Sequence, residues 1–397
     1  MKAKYICFSL LLMCSFFSGC KSVPEDVSNR MVEYGDNKQM HADDITYCTV
    51  EELRKSGVDD VNVKLDNMIL PDSVDFSGVD DISTLELAFE EHALEKEDYF
   101  LEKFGIERDA LSSEDVLSDG KKVVPCRVYD MVDTRKYFAM DDRGWLVYSA
   151  DEAYDILNGE LEKITEEHYD MYFDDISGKK VTIGGEEVSL ENIYKDAEKK
   201  LEEYRLTEDY DYHITDMYIS KLKGTENNKD GCMVSLVAEA YYKGIAFNDY
   251  GNDSEFDGEK VNMGLFSYNI KMDYAGEQLL ESYNNGWGNL VLNNSNKVDK
   301  VIDFNSAVRI VNSEISGFNQ LEIYKIIPLY ALYPEVIQDP DIDEFPWTGQ
   351  KVSARPVYAF IMKADKKGEN KSSDDKSNDY KYIFVDMIDG TISTDIS

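Results

Sequence analysis

An α+β protein is predicted, made of repeated modules that each pack one helix on a three- to four-stranded antiparallel sheet. Three observations predict it. A helical apolar period appears three times along the chain. Each time, strand-like runs separated by turn residues follow it. The order of one helix then three antiparallel strands recurs as a pattern, not as residue identity. Three strands need a helix over one face to be stable, so each unit needs its own.

The first helix is expected from Ser83 to Phe104, where Leu85, Phe89, His92, Ala93, Lys96, Phe100 and Phe104 fall near one side. Strands follow at Lys122 to Tyr129, Lys136 to Met140 and Trp145 to Tyr148, the last two flanking the turn Asp141-Asp142-Arg143-Gly144. A second helix runs from Ser189, an N-cap residue, through Ile193, Ala197 and Leu201 to Tyr204. Its strands are Tyr212 to Leu222, Cys232 to Phe247 and Leu265 to Met272, with Glu226 to Gly231 as a hairpin loop. A third helix runs from Phe304 to Ile315, capped by Asp303 or Asn305 and ended by Gly317. Leu321 to Leu332, Lys351 to Met362, Tyr380 to Asp386 and Gly390 to Ser393 complete that unit. Asp389-Gly390 predicts a type I′ turn. Pro328 and Pro356 lack the N–H a ladder needs, so they belong at an edge or bulge. The charged span 365–379 reads as a hairpin loop. The expected organisation is residues 46–180, 181–300 and 301–397 as three modules behind an N-terminal segment.

That segment has its own logic. Lys2 and Lys4 precede an apolar run from Ile6 to Phe17, too short to span a bilayer, and Phe17-Ser18-Gly19-Cys20 follows. This order resembles the lipobox of bacterial lipoproteins. The resemblance implies that residues 1–19 are a signal peptide and that Cys20 becomes an acylated N-terminus. It places the protein on the extracytoplasmic face of the cell membrane, held by lipid. Residues 20–45 are polar and read as a tether.

At the other end, Arg355-Pro356-Val357-Tyr358-Ala359-Phe360 is followed by Tyr382-Ile383-Phe384-Val385-Asp386-Met387-Ile388-Asp389-Gly390-Thr391-Ile392. This pattern resembles the end of PepSY-type modules and covers residues 303–393, with Met387 where the family usually has alanine. The resemblance implies a protein-binding, inhibitory or sensing role at the cell surface, with no catalytic residue to carry over.

Charge narrows the partners. Eighty acidic residues against 42 basic ones give a formal charge of −38. Such a surface repels phosphate backbones, so nucleic acid is excluded as a partner, while cations and basic peptides are attracted. Cys48, Cys126 and Cys232 remain beyond the signal, with no C-x-x-C, so no disulfide framework is expected. His41, His92, His168 and His213 form no H-E-x-x-H, and no G-x-S-x-G occurs; each histidine reads as surface or satisfied. Asp253, Glu255 and Asp257 with Gly258 alternate like the start of an EF-hand loop, although Gly264 stands where a bidentate Glu is needed. They are the candidate Ca²⁺ ligands, as Asp339, Asp341 and Asp343 are more weakly; no other cofactor is expected. Trp145 reads as core, whereas Trp287 and Trp347 lie in Gly-containing loops and, with Tyr358 and Tyr382, form the candidate contact surface. The function expected is a non-enzymatic, lipid-anchored protein that binds or regulates a protein or peptide partner. The alternative is binding of a cell-wall glycan or small ligand.

Overall fold

The computed structural model describes residues 45–65, 68–89, 92–119, 122–142, 144–172, 174–204, 208–224, 231–247, 254–256, 259–261, 270–276, 280–285, 290–315, 321–334, 351–363 and 380–395. Its strands begin with β1 (Tyr47–Cys48), β2 (Met68–Ile69), β3 (Ser83–Phe89), β4 (Ser113–Asp119), β5 (Lys122–Met131), β6 (Lys136–Asp141), β7 (Leu146–Ala150) and β8 (Leu161–Asp170). They continue with β9 (Lys180–Ile183), β10 (Glu186–Ser189), β11 (Asp211–Gly224), β12 (Gly231–Tyr242), β13 (Ile245–Phe247), β14 (Ser254–Phe256), β15 (Glu259–Val261) and β16 (Ile270–Tyr274). The last are β17 (Leu280–Asn285), β18 (Leu290–Lys297), β19 (Val301–Ile302), β20 (Leu321–Pro334), β21 (Lys351–Lys363), β22 (Tyr380–Asp386) and β23 (Ile392–Asp395). The α-helices are α1 (Val50–Leu53), α2 (Glu97–Phe104), α3 (Asp151–Leu157), α4 (Leu190–Tyr204) and α5 (Phe304–Glu314).

The repeated helix-on-sheet modules are overturned: the chain is mostly β, with a 16-strand mixed sheet and few short helices. One wing of that sheet runs β4–β5–β6–β7–β17–β16–β12–β11–β8, antiparallel throughout. In the other wing β20 pairs with β21. The far side of β21 is shared, by β3 along 351–354 and by β22 along 357–363. The short β13 joins the wings, antiparallel to β12 and parallel to β20. Strands far apart in sequence therefore complete one another, as when β7 takes β17 or β3 takes both β18 and β21.

The helices obey the sequence more closely than the architecture does. Along α4, Leu190, Ile193, Ala197, Leu201 and Tyr204 are buried, one apolar stripe at helical spacing. The Asp303 carboxylate caps α5 by accepting the Ser306 N–H at 2.6 Å. Ala307, Val308, Val311 and Ile315 then bury against the second wing. The helix expected from Ser83 to Phe104 is instead strand β3, a connection, and α2. Leu85 and Leu87 are buried while Glu86 is exposed, the two-residue alternation of a strand. Pro356 sits where β21 changes partner between β3 and β22, a point at which no N–H is required. The type I′ turn at Asp389-Gly390 is also corrected. Only Gly390 has positive φ (76°), and its N–H reaches the Asp386 carbonyl at 3.0 Å, closing a longer loop.

Two cores result. Under α2 and α4, Phe104 stacks on Tyr148 at 4.3 Å between ring centroids and touches Phe138, Tyr204 and Tyr283. Under α5, Phe76, Phe304 and Tyr358 meet edge-on or tilted. Truncating Phe104→Ala should cost about 3–5 kcal/mol in urea denaturation, because the rings packed against it cannot close the gap. The β12–β13 turn is stricter. Lys243 and Gly244 have φ of 53° and 79°, and a Cβ on Gly244 would lie 1.8 Å from the Gly78 carbonyl oxygen. Gly244→Ala should therefore cost at least about 2 kcal/mol; an unchanged urea midpoint would mean that the wings do not close against this turn.

Candidate functional site

The helices and the ionisable groups divide the sheet between them. In the first wing, Met233, Val234, Leu236 and Ala238 of β12 join the core beneath α2 and α4. By strand alternation, Ser235, Val237, Glu239 and Tyr241 face the opposite side. That opposite face is polar. Lys163 pairs with Asp273 at 3.0 Å and also reaches Ser235, while Thr165 and Ser220 share a 3.0 Å hydrogen bond. In the second wing the same side is apolar and buried, with Leu329, Val357, Ala359, Ile361, Tyr382 and Phe384.

Two β-bulges lie where these faces meet. On β11 the register slips between Ile214 and Asp216, leaving Thr215 as the extra residue. On β20 it slips between Ile323 and Lys325, leaving Tyr324. In unbroken strands Asp216 would share the face of Ile214, and Lys325 the face of Ile323; both isoleucines are in the helix-covered cores. Each bulge turns one charged side chain away from a helix-covered core and towards the opposite face of the sheet.

The result is a cluster of charged and aromatic groups on β8, β11, β12 and β20, with Tyr172 just past the end of β8. The Lys325 ammonium lies 3.5 Å from the centroid of the Tyr172 ring. The Tyr172 and Tyr241 hydroxyls are hydrogen-bonded to each other. Asp170 accepts from the Tyr324 hydroxyl at 3.3 Å and from the Tyr172 N–H at 3.0 Å. His168 Nε2 is 2.6 Å from Asp216 Oδ1, and its ring stacks on Tyr218 at 4.5 Å. Lys325 is only 7% exposed and Glu239 3%, whereas Tyr172 is 46% exposed. Burial pushes the Lys325 ammonium below its ordinary value, against the pull of Asp170, Glu239 and Asp216. Asp170 and Asp216 face each other directly across β8 and β11, an arrangement that repels. His168 answers it: the hydrogen bond its imidazole donates to Asp216 raises its basicity, partly offset by burial. The cluster thus offers donors, acceptors, a cation and ring faces in one place.

Little of this matches the residues expected from sequence. Tyr358 is fully buried, its hydroxyl donating 2.7 Å to the Ile302 carbonyl, so it offers no contact surface. Tyr382 is stacked parallel to Phe384 at 5.9 Å on the buried apolar face. Cys20, Trp287, Trp347, Asp253 and Asp257 lie outside the described residues, and Glu255 is described only as backbone in β14. Among the described residues no group of three or more His, Cys, Asp or Glu side chains is arranged to hold a metal ion. The signal that could have found the cluster is Lys325 itself, a lone cation in the apolar run Ile323 to Leu332.

A group whose basicity rises on folding stabilises below its unfolded value and loses that contribution as pH rises through its folded value. His168 should therefore contribute stability below about pH 6.5 and lose it above. Asp216→Asn should lower the His168 titration midpoint in NMR and remove that segment of the stability profile. An unmoved midpoint would detach His168 from Asp216.

No protein-family model matches the chain, and no curated protein matches it either. Among solved structures it is similar to an uncharacterized protein from Eubacterium rectale ATCC 33656, crystallised at 1.45 Å resolution. The TM-score is 0.54 at 12% identity, covering 87% of this chain and 97% of that one, a likeness of fold alone.

Proposed function

We propose that the chain is a lipid-anchored extracytoplasmic protein that binds a protein or peptide partner rather than transforming a substrate, and that it does so beside the Lys325 cluster. The observation that carries the binding site is the pair of bulges. They bring a buried ammonium and a carboxylate to one face, where an apolar core would have been the cheaper arrangement. The half-exposed Tyr172 ring gives a partner access to that face. The address rests on Lys2, Lys4, the apolar run to Phe17 and the Ser18-Gly19-Cys20 junction. The resemblance of residues 303–393 to PepSY-type modules supports a protein partner, and the net charge of −38 favours a basic one. A second reading, glycan binding, is favoured by the tyrosine rings beside Asp170 and Asp216, a combination that suits stacked and hydrogen-bonded sugars.

Cross-linking on intact cells tests both. Cys20→Ala should release the protein from the membrane fraction. Lys325→Met keeps the side-chain length and removes the charge but leaves Glu239 buried without it, so stability should fall by no more than about 3–5 kcal/mol, a loss that urea denaturation measures before capture is compared. Capture of one dominant partner by the wild type, lost in Lys325→Met, is the expected result. Retention on purified cell wall with no protein captured would overturn the partner reading in favour of the glycan.

A further inference from the structure

The opposite, helix-covered side of the first wing holds a second ionisable pair. Glu281 on β17 is 1% exposed. Its Oε2 accepts the Ala153 N–H of α3 at 3.2 Å. Its Oε1 is buried and, counted as a carboxylate oxygen, has no hydrogen-bond partner. The group beside it is another carboxyl, Glu152. Both converge on Gly276, in the turn between β16 and β17. A Cβ there would lie 2.3 Å from Glu281 Oε1 and 2.8 Å from Glu152 Oε2. Gly276 therefore supplies both its left-handed backbone (φ 57°) and the space in which the two carboxyls meet.

Two carboxylates in contact, one of them buried, cannot both be ionised without a counter-charge. The Arg135 cation acts on Glu152 only at a distance, so it balances one of the two charges in part and leaves Glu281 without a partner cation among the described residues. The Arg135 guanidinium is committed to Asp155, with Nε–Oδ1 at 3.0 Å and a second bond at 2.6 Å, and stands 3.8 Å from Asp151. The other groups facing Glu281 are Asp151 on α3 and Tyr148 on β7, and they add negative or neutral neighbours. A proton is what the geometry lacks: one proton converts two acceptors into a donor and an acceptor. The N–H of Ala153, pointing at Glu281, also disfavours a metal cation in the same place.

We propose that Glu152 and Glu281 share one proton and form a pH-released clasp between α3 and the β16–β17 turn. The clasp is closed while the proton is held and opens when it is lost to the medium. Burial and the neighbouring Glu152 carboxyl together push Glu281 up to about 9, so the proton is retained at neutral pH. The folded chain then holds a proton that the unfolded chain has already released above the ordinary carboxylate range. The clasp's contribution to stability consequently falls as pH rises from about 4.5 to about 9, and it is undiminished below that window.

Thermal unfolding of the full-length chain between about pH 5 and pH 9 tests this, with hydrogen exchange of residues 151–157 followed alongside. The wild-type Tm should fall across the window, and Glu281→Gln, which replaces the shared proton with a fixed amide donor, should flatten that fall. Glu152→Gln, which offers Glu281 a neutral donor, should move the fall to lower pH. If Glu281→Gln fails to fold, Glu152→Gln and the exchange of residues 151–157 still decide. Wild type and both variants falling with one slope would overturn the proposal. So would a wild-type Tm that is flat with pH but rises on adding Ca²⁺, because the pair would then hold a cation.

Discussion

Ile245, Ala246 and Phe247 hold the two wings in one sheet, and all three are essentially inaccessible. They are too few to make a strand that is stable alone. They persist because β12 offers an antiparallel partner on one side and β20 a parallel one on the other. The tight turn at Lys243 and Gly244 aims them there, and its contact with the Gly78 carbonyl leaves no room for a side chain. With that splice in place, β12 reads as a nearly continuous buried run, since neighbours flank it and both of its faces are largely covered. Without it, the cores under α4 and α5 would belong to separate bodies.

A continuous sheet also sets a problem of faces. Helices cover one side of both wings, and regular strand alternation keeps a given set of side chains on that side. The bulges at Thr215 and Tyr324 break this rule locally. They carry Asp216 and Lys325 to the side opposite the helices without disturbing Met217 or Ile326, which return to the cores. Side chains of either charge then gather where the apolar half of that side gives way to the polar half. Well-packed apolar residues in place of Lys325 and its buried carboxylate neighbour Glu239 together would be no less stable. Retaining a buried ammonium there is best understood through what it contacts.

The sequence made parts of this plain and hid others for identifiable reasons. The helices α4 and α5 were legible because each carries an apolar stripe of 3.6-residue period, opened in α5 by the Asp303 cap. The strands β20 to β22 were legible because long β-branched and aromatic runs surround them. Ser83 to Phe104 misled because positions four apart share a face in a strand as well as in a helix, and Leu85 and Phe89 satisfy both. The short α3 and the edge strand β8 escaped notice. The segment Asp151 to Leu157 is only two turns long, and β8, paired with β11 alone, keeps a solvated and charged pattern. The cluster was invisible because it depends on register. Thr215 and Tyr324 carry no glycine to advertise a bulge, and a one-residue slip decides which face a side chain takes. His168 and Tyr382 were therefore visible as residue types, but not as neighbours of anything.

The titrating groups of the described residues fall into two sets with opposite signs. Glu52 is held low by the Thr49 N–H it accepts, Asp75 by Ser77, and Glu203 by the hydrogen bond from Lys103. These contributions are present above the ordinary carboxylate range and vanish in acid. His168 and Glu281 are both raised, so theirs are present in acid and vanish in base. The first set sits mainly on exposed side chains, where solvent screening keeps each contribution small. The second is the more buried, and its titration acts on the join between the wings and on the seat of α3. Loss of the raised pair's contributions on an alkaline shift loosens the fold at two places set on opposite sides of the first wing, while the depressed Lys325 ammonium works the other way.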